Sequence, residues 1–483
     1  MRARHGWVLV SVVVVAAALV GGPVGAVASA APAKNGPQGQ GDKNGKGPSL
    51  NKSKQSNAKR TADYARTAKL AIADIQSYWA DTFPQVYGAK YAAIPSNRIF
   101  AAHPGVKLPP CQGQKLTYKD AEENAFYCFK SNFVAYDDVK LFPDLFQNFG
   151  DFSIALVFAH EWGHAIQDRA GNAQQPSILK ELQADCFAGS WTRHVADGDS
   201  RKLKLRGGSL DSALAAYLKK FRDAPGSSPY DPQAHGDAFD RVGAFEDGYG
   251  NGAEKCATYF DSPPLTTEQQ FATRSDASSG GNLPADEVIP GTVDLLNNFY
   301  SQVEPGYTPL SIDDVFKYDS SGSKDQLPKC GGSVPPRSHI KNRVFYCIDD
   351  GYIAFDEPYV QHVYDDIGDF GVTTLFANTW ATYVQIKQGF PGAADNTDAA
   401  VFAADCYSGG FAAAMWNGLL SSDTLGGQVS LSSGDLDETV AALLDYVSAR
   451  GISQSADATF KLFGAFRDGF LDGYQSCSQY RPS

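Results

Sequence analysis

The residues in this chain best suited to chemistry are His160-Glu161-Trp162-Gly163-His164. Apolar residues surround the run, Ala155-Leu156-Val157-Phe158-Ala159 before it and Ala165-Ile166 after it, as on a buried helix. A spacing of four on a helix turns two side chains only about 40° apart around the axis, so both imidazoles point the same way. Two imidazoles and a carboxylate are costly to bury without a partner. Zinc answers that cost, because it takes imidazole nitrogen and carboxylate oxygen tetrahedrally and can leave one position open to water. Glu161 lies beside the two ligands and is placed to polarise that water. A pair of surface histidines is the bland alternative, and the apolar flanks argue against it.

The chain supplies its own comparison. Gly150–Gln167, GDFSIALVFAHEWGHAIQ, returns about 220 residues later as GDFGVTTLFANTWATYVQ, Gly368–Gln385. The apolar frame survives, while His160, Glu161 and His164 become Asn378, Thr379 and Thr382. The same subtraction finds a third ligand. Glu181 and Asp185 share one face of the next predicted helix, so one can bind metal while the other orients a histidine. Opposite Glu181 stands Val401, whereas Asp185 persists as Asp405. Glu181 therefore behaves as a ligand and Asp185 as a supporting residue. His235 corresponds to Ala456 and is lost with the ligands. It begins a predicted helix and is a candidate to stabilise the oxyanion of a tetrahedral intermediate. Only one of the two copies keeps its ligands, so one zinc per chain is expected.

The elements that must position these residues are an amphipathic helix around Asp63–Thr82, strands at Arg98–Ala102 and Phe126–Tyr136, and helices at Asp151–Asp168, Ser177–Ala196, Leu210–Phe221 and Ala238–Thr258. The pattern is α+β, mainly helical with small sheets. Eight cysteines fall into two matching sets, Cys111, Cys128, Cys186, Cys256 and Cys330, Cys347, Cys406, Cys477. Four cysteines allow three pairings. We expect Cys111–Cys128 and Cys330–Cys347 to close locally. Cys186–Cys256 and Cys406–Cys477 should tie together helices that must pack, each bridge contributing roughly 3–4.5 kcal/mol on the loop-entropy model.

HEWGHAIQ, then ELQADCFAGSW, then HGDAF…GAFEDGYGNGAEKC resembles the bacterial neutral zinc metallopeptidase family. The resemblance runs from Cys111 to about Phe260, and more faintly through the second copy. It implies a zincin with zinc at His160, His164 and Glu181, Glu161 as general base, and hydrolysis of peptide bonds. The chain departs from the family pattern at Ala165, Phe129 and Asp237-Ala238, where the family has histidine, proline and Thr-Ser; none of these removes a ligand.

Arg2, Arg4 and His5, the apolar Trp7–Val20 and the small residues Ala28-Ser29-Ala30 read as a signal peptide over residues 1–30. The uncharged Trp7–Ala31 is also long enough to span a bilayer, but Gly21, Gly22 and Pro23 before the small-residue site favour cleavage. Residues 31–60 read as a disordered basic tether, a solvated spacer with the charge to touch an anionic cell wall or membrane surface. The net charge of −12 leaves the folded part acidic, which argues against nucleic-acid binding. The expected organisation is thus a secreted protein of two zincin-like domains. A catalytic domain covers 61–261, a linker 262–285, and a degenerate pseudoenzyme domain 286–483. The reading is a metallopeptidase acting on a peptide or protein. A non-catalytic surface protein with a structural metal, or a zinc amidase acting on cell-wall material, are the rival readings.

Overall fold

The computed structural model describes residues 57–482, apart from 173–174, 207 and 451–457. The expected signal peptide, most of the tether and Ala456 therefore lie outside the described residues. No helix of the described residues is long and apolar enough to cross a membrane.

The first half runs α1 (Asn57–Tyr87), β1 (Ile99–Ala102), β2 (Ala125–Cys128), β3 (Phe133–Asp137), α2 (Leu141–Phe149), α3 (Asp151–Ala170), α4 (Ser177–Ala196), α5 (Ser209–Lys220) and α6 (Ala238–Ala257). A short α7 (Arg274–Ser279) follows. The second half runs α8 (Ala285–Val303), β4 (Val315–Tyr318), α9 (Arg337–Ile340), β5 (Val344–Cys347), β6 (Tyr352–Asp356), α10 (Glu357–Asp366), α11 (Asp369–Lys387) and α12 (Asp398–Trp416). It closes with β7 (Leu420–Ser422), β8 (Gly427–Val429), α13 (Asp435–Arg450) and α14 (Ala458–Asp472). The molecule is mostly helical. Each half holds a three-stranded sheet, of order β1-β3-β2 in the first and β4-β6-β5 in the second. In both, the outer pair is parallel to the centre on one side and antiparallel on the other, leaving β2 and β5 as edge strands.

Several expectations needed correction. The single strand expected over Phe126–Tyr136 is a hairpin, β2 and β3, because Lys130 and Asn132 take left-handed backbone angles and turn the chain. The first helix continues past Thr82 through Pro84 to Tyr87, carried by the burial of Phe83, and α2 was not expected at all. Helix α6 breaks at Gly252, whose φ of 80° is open to glycine at little cost. Gly473 has the same φ of 80° at the corresponding point of the second half. Both breaks turn the chain so that the following cysteine meets its partner.

All four expected cysteine pairs form, Cys111–Cys128, Cys186–Cys256, Cys330–Cys347 and Cys406–Cys477. The core of the first half is built on large aromatics anchored by their polar tips. Trp162 donates to Tyr91 Oη at 3.2 Å, Trp191 donates to Asp74 at 3.1 Å, and Trp79 meets Phe187 edge-on. Trp380 donates to Tyr307 Oη at 2.6 Å in the second half, repeating the Trp162 arrangement. The segment expected as a linker is pinned down: Thr267 is buried, its N–H and hydroxyl both donating to Asp240.

Candidate metal centre

Helices α3 and α4 pack side by side, and Gly163 sets how closely. A Cβ at Gly163 would lie 2.6 Å from the Cα of Ala184, so only glycine permits the observed approach. That approach brings the two helices' polar residues together in an otherwise apolar core. His160, His164 and Glu181 are each buried and converge on one point. His160 Nε2 lies 3.1 Å from Glu181 Oε2, His164 Nε2 lies 3.4 Å from Glu181 Oε1, and the two Nε2 atoms are 3.2 Å apart.

Hydrogen bonds behind the rings decide which nitrogens face inward. His160 Nδ1 is 2.7 Å from Asp185 Oδ1, and a carboxylate there can only accept, so Nδ1 carries the hydrogen. Gln167 Nε2 donates to the Lys180 carbonyl at 2.6 Å, which fixes its amide and leaves Oε1 to accept from His164 Nδ1 at 3.0 Å. Both Nε2 lone pairs are then left facing each other beside a carboxylate.

These residues fit a zinc ion. Zinc–nitrogen bonds of 2.0–2.1 Å in a tetrahedron place ligand atoms roughly 3.3 Å apart. The three separations of 3.1, 3.2 and 3.4 Å lie around that value.

Glu161 sits beside the cluster without joining it. Its Oε2 accepts from the Tyr127 N–H of edge strand β2 at 2.7 Å, which leaves Oε1 for other work. Burial pushes its carboxyl up to about 7, against the pull of the two imidazoles. At Glu181, burial is outweighed by those same imidazoles, which hold its carboxyl well below the usual range.

The family description "Putative neutral zinc metallopeptidase" matches residues 2–259, more than half of the chain. The chain belongs to this neutral zinc metallopeptidase family. Uncharacterized protein YpfJ of Escherichia coli strain K12 is 30% identical over 158 residues, covering 28% of this chain and 53% of that protein. Uncharacterized protein Rv2575 of Mycobacterium tuberculosis strain H37Rv is 28% identical over 196 residues, 35% of this chain and 64% of that protein. The chain thus spans between half and two-thirds of these relatives' length. No solved structure matches.

For a member of the neutral zinc metallopeptidase family, three supporting residues matter that the sequence did not single out. Arg241 on α6 grips Asp185 with two bonds, Nε to Oδ2 at 2.6 Å and Nη2 to Oδ1 at 3.0 Å. Its other arm donates to the Phe221 carbonyl. Gln167 orients His164, as described. Asp223 holds His235: its Oδ1 lies 3.1 Å from His235 Nδ1, and its Oδ2 accepts the backbone N–H groups of His235 and Gly236. His235 is not part of the three-residue cluster. It lies near enough that the Glu181 carboxylate, with Asp223, raises its pKa against the effect of burial.

The second half shows the same framework without the two imidazoles, Glu161, Glu181 and Arg241, although Asp405 persists buried opposite Asp185. Asn378 accepts from Ser408 at 2.6 Å, and Thr379 turns its hydroxyl to the Leu375 and Val344 carbonyls. Val401 and Leu462, opposite Glu181 and Arg241, pack against each other. Gln385 repeats the Gln167 bond, donating to the Ala400 carbonyl at 2.9 Å.

Proposed function

We propose that this chain is a zinc-dependent peptidase whose chemistry lies in its first half, and that residues 286–483 are a degenerate copy of the catalytic unit, 61–261. The observation that carries the reading is the meeting of two inward-facing Nε2 atoms and the Glu181 carboxylate at 3.1–3.4 Å among buried side chains. Neutral imidazoles so placed repel unless a cation, a metal ion or a proton, lies between them.

His160, His164 and Glu181 would hold the metal, with Asp185 and Gln167 fixing the rings. A zinc ion bound there supplies a Lewis acid that polarises the scissile carbonyl and makes water more acidic. Glu161 takes a proton from the attacking water at Oε1 and returns it to the leaving amine. His235, held by Asp223, is the candidate donor to the oxyanion. The leader expected at residues 1–30 and the four disulfides support export to an oxidising compartment.

The test is metal content measured together with cleavage of an unfolded protein. Wild type should carry one zinc per chain and lose activity to a chelator. Glu161→Gln should keep its zinc and lose nearly all turnover, because it removes proton transfer alone. Glu181→Gln should lose both. Two tightly held zinc ions per chain, or full activity in both variants, would overturn the assignment.

A further inference from the structure

The second half also carries charges that the first half lacks. Asp369 opens α11, and Asp435 and Glu438 lie in the first turn of α13. Each places one carboxylate oxygen within 4.8 Å of the other two. Asp369 and Asp435 are buried and Glu438 is half-buried. Among the described residues no lysine, arginine or histidine pairs with any of them. Burial, and after it the neighbouring carboxylates, push Asp435 and Glu438 well above the usual carboxylate range. An acid at a helix N-terminus is ordinary, and backbone N–H groups do answer one oxygen of each residue. Glu438 Oε2 accepts from Phe370 and Gly371, Asp435 Oδ2 from Ser432, and Asp369 Oδ2 from Leu283. Asp369 Oδ1 is different: it has no hydrogen-bond partner, in a residue only 5% exposed. A buried acceptor left so is costly unless something else meets it.

The first half shows that the fold does not need this cluster. Gly208 and Gly434 both take left-handed angles ahead of α5 and α13, and Leu210 and Leu436 are both buried. That register sets Ser209 opposite Asp435 and Ser212 opposite Glu438, while Asp151, opposite Asp369, is exposed. Gly368 is fitted to the cluster, since a Cβ there would collide with Glu438 Oε1; at Gly150, its counterpart, a Cβ would meet nothing within 4 Å. Three carboxylates with no imidazole or thiolate among them suit a hard cation. Calcium holds oxygens at about 2.3–2.6 Å, so its ligands span up to about 5 Å, and it tolerates irregular shells that water completes. We propose that Asp369, Asp435 and Glu438 bind a calcium ion, with Asp369 Oδ1 among its ligands. The ion would also hold the segment between the halves, because Asp369 bonds to Leu283 and Asn282, and Ser432 donates to Asp276 of α7.

The experiment uses the zinc-loaded full chain in calcium-free buffer and reads equilibrium dialysis against radioactive calcium. One calcium should bind per chain with a Kd on the order of 0.1–1 mM, the range of extracellular modules. Calcium at about 10 mM should raise the melting temperature by roughly 2 °C. Asp435→Ser combined with Glu438→Ser, which gives the second half the residues of the first, should abolish both effects and leave zinc binding as in wild type. Asp369→Asn, nearly identical in shape, should weaken calcium at least about tenfold and serves alone if the double variant does not fold. Asp151→Asn should change neither reading. No saturable calcium binding below about 10 mM, calcium binding that survives in the variants, or magnesium bound as tightly as calcium would each overturn the proposal. The site does not rest on the peptidase reading: a chain that binds calcium here and cleaves no protein keeps this proposal and loses the other.

Discussion

At the scale of single residues, the candidate metal ligands depend on a chain of supports. His160 is set by Asp185, and Asp185 by Arg241. Replacing Arg241 with leucine, the residue the second half carries at Leu462, leaves a buried carboxylate without its guanidinium. The expected cost is about 3–5 kcal/mol of stability, with zinc affinity lowered roughly 10–100-fold. Denaturant titration and competition with a chelating indicator measure the two effects. Unchanged zinc affinity would mean that Asp185 orients the imidazole unaided. The convergence of His160, His164 and Glu181 was legible because histidine and glutamate are rare inside apolar helices, and because the second copy carries Asn378, Thr382 and Val401 in their places. Arg241 was within reach of the same subtraction, but an arginine in the first turn of a helix reads as a solvated charge. Gln167 persists as Gln385, so subtraction assigned it to the frame, although it both supports the frame and orients a ligand. Asp223 follows α5, which has 12 residues where α13 has 16, so it has no counterpart to compare.

Between elements, the spacing of α3 and α4 separates the two halves chemically. Gly163 allows Ala184 to approach, whereas Ala381 stands at that position in the second half and packs against Ala404. Gly163→Ala should cost about 1–3 kcal/mol through overpacking. It should also lower zinc affinity by at least about tenfold, because Glu181 rides on the displaced helix. Ala381→Gly should cost only about 1 kcal/mol, as glycine does inside a helix, with zinc affinity unchanged. Equal effects of the two substitutions on zinc would remove the link between helix spacing and coordination. A second expectation concerns the bridge five residues beyond Glu181. Changing Cys186 and Cys256 together to serine should cost about 4 kcal/mol on the loop-entropy model and loosen the metal. The matching change at Cys406 and Cys477 should cost stability alone. Chelator competition on both double variants tests this. Helices α3, α4 and α6 were readable from their apolar faces and small-residue landmarks. The β2–β3 hairpin was not, since its turn residues Phe129–Asn132 carry no glycine or proline and the strands on both sides are equally apolar.

For the whole molecule, the halves meet through carboxylates as well as aromatic rings. Asp240 is buried near Asp437. Burial and that neighbour push its carboxyl up to about 7, although Thr267 bonds to its charged form and pulls the other way. A carboxyl whose folded pKa is raised binds more protons when folded than when unfolded, so its contribution to stability is full below about pH 4 and fades as pH rises through about 7. Asp240→Asn, which does not titrate, should therefore gain melting temperature relative to wild type between pH 5 and pH 8 at equal zinc loading. A constant difference across that range would exclude this titration. The aromatic contact reaches further. On α6, Phe239 lies 5.5, 6.2 and 5.2 Å from the rings of Phe463, Phe466 and Phe470, while Phe245 and Tyr249 stack on Phe460. Arg467 pairs with Asp247 at 2.7 Å, and Arg222 with Asp437. All these partners lie beyond residue 259, where the family match ends. Phe239 and Arg241 lie two residues apart, on opposite sides of α6, so the helix that braces the candidate metal site through Arg241 is packed on its other side by the second half. Scanning calorimetry should then record one endotherm in place of two, with enzyme activity lost across it. Heat inactivation would in that case be governed as much by α14 as by the helices that carry the histidines.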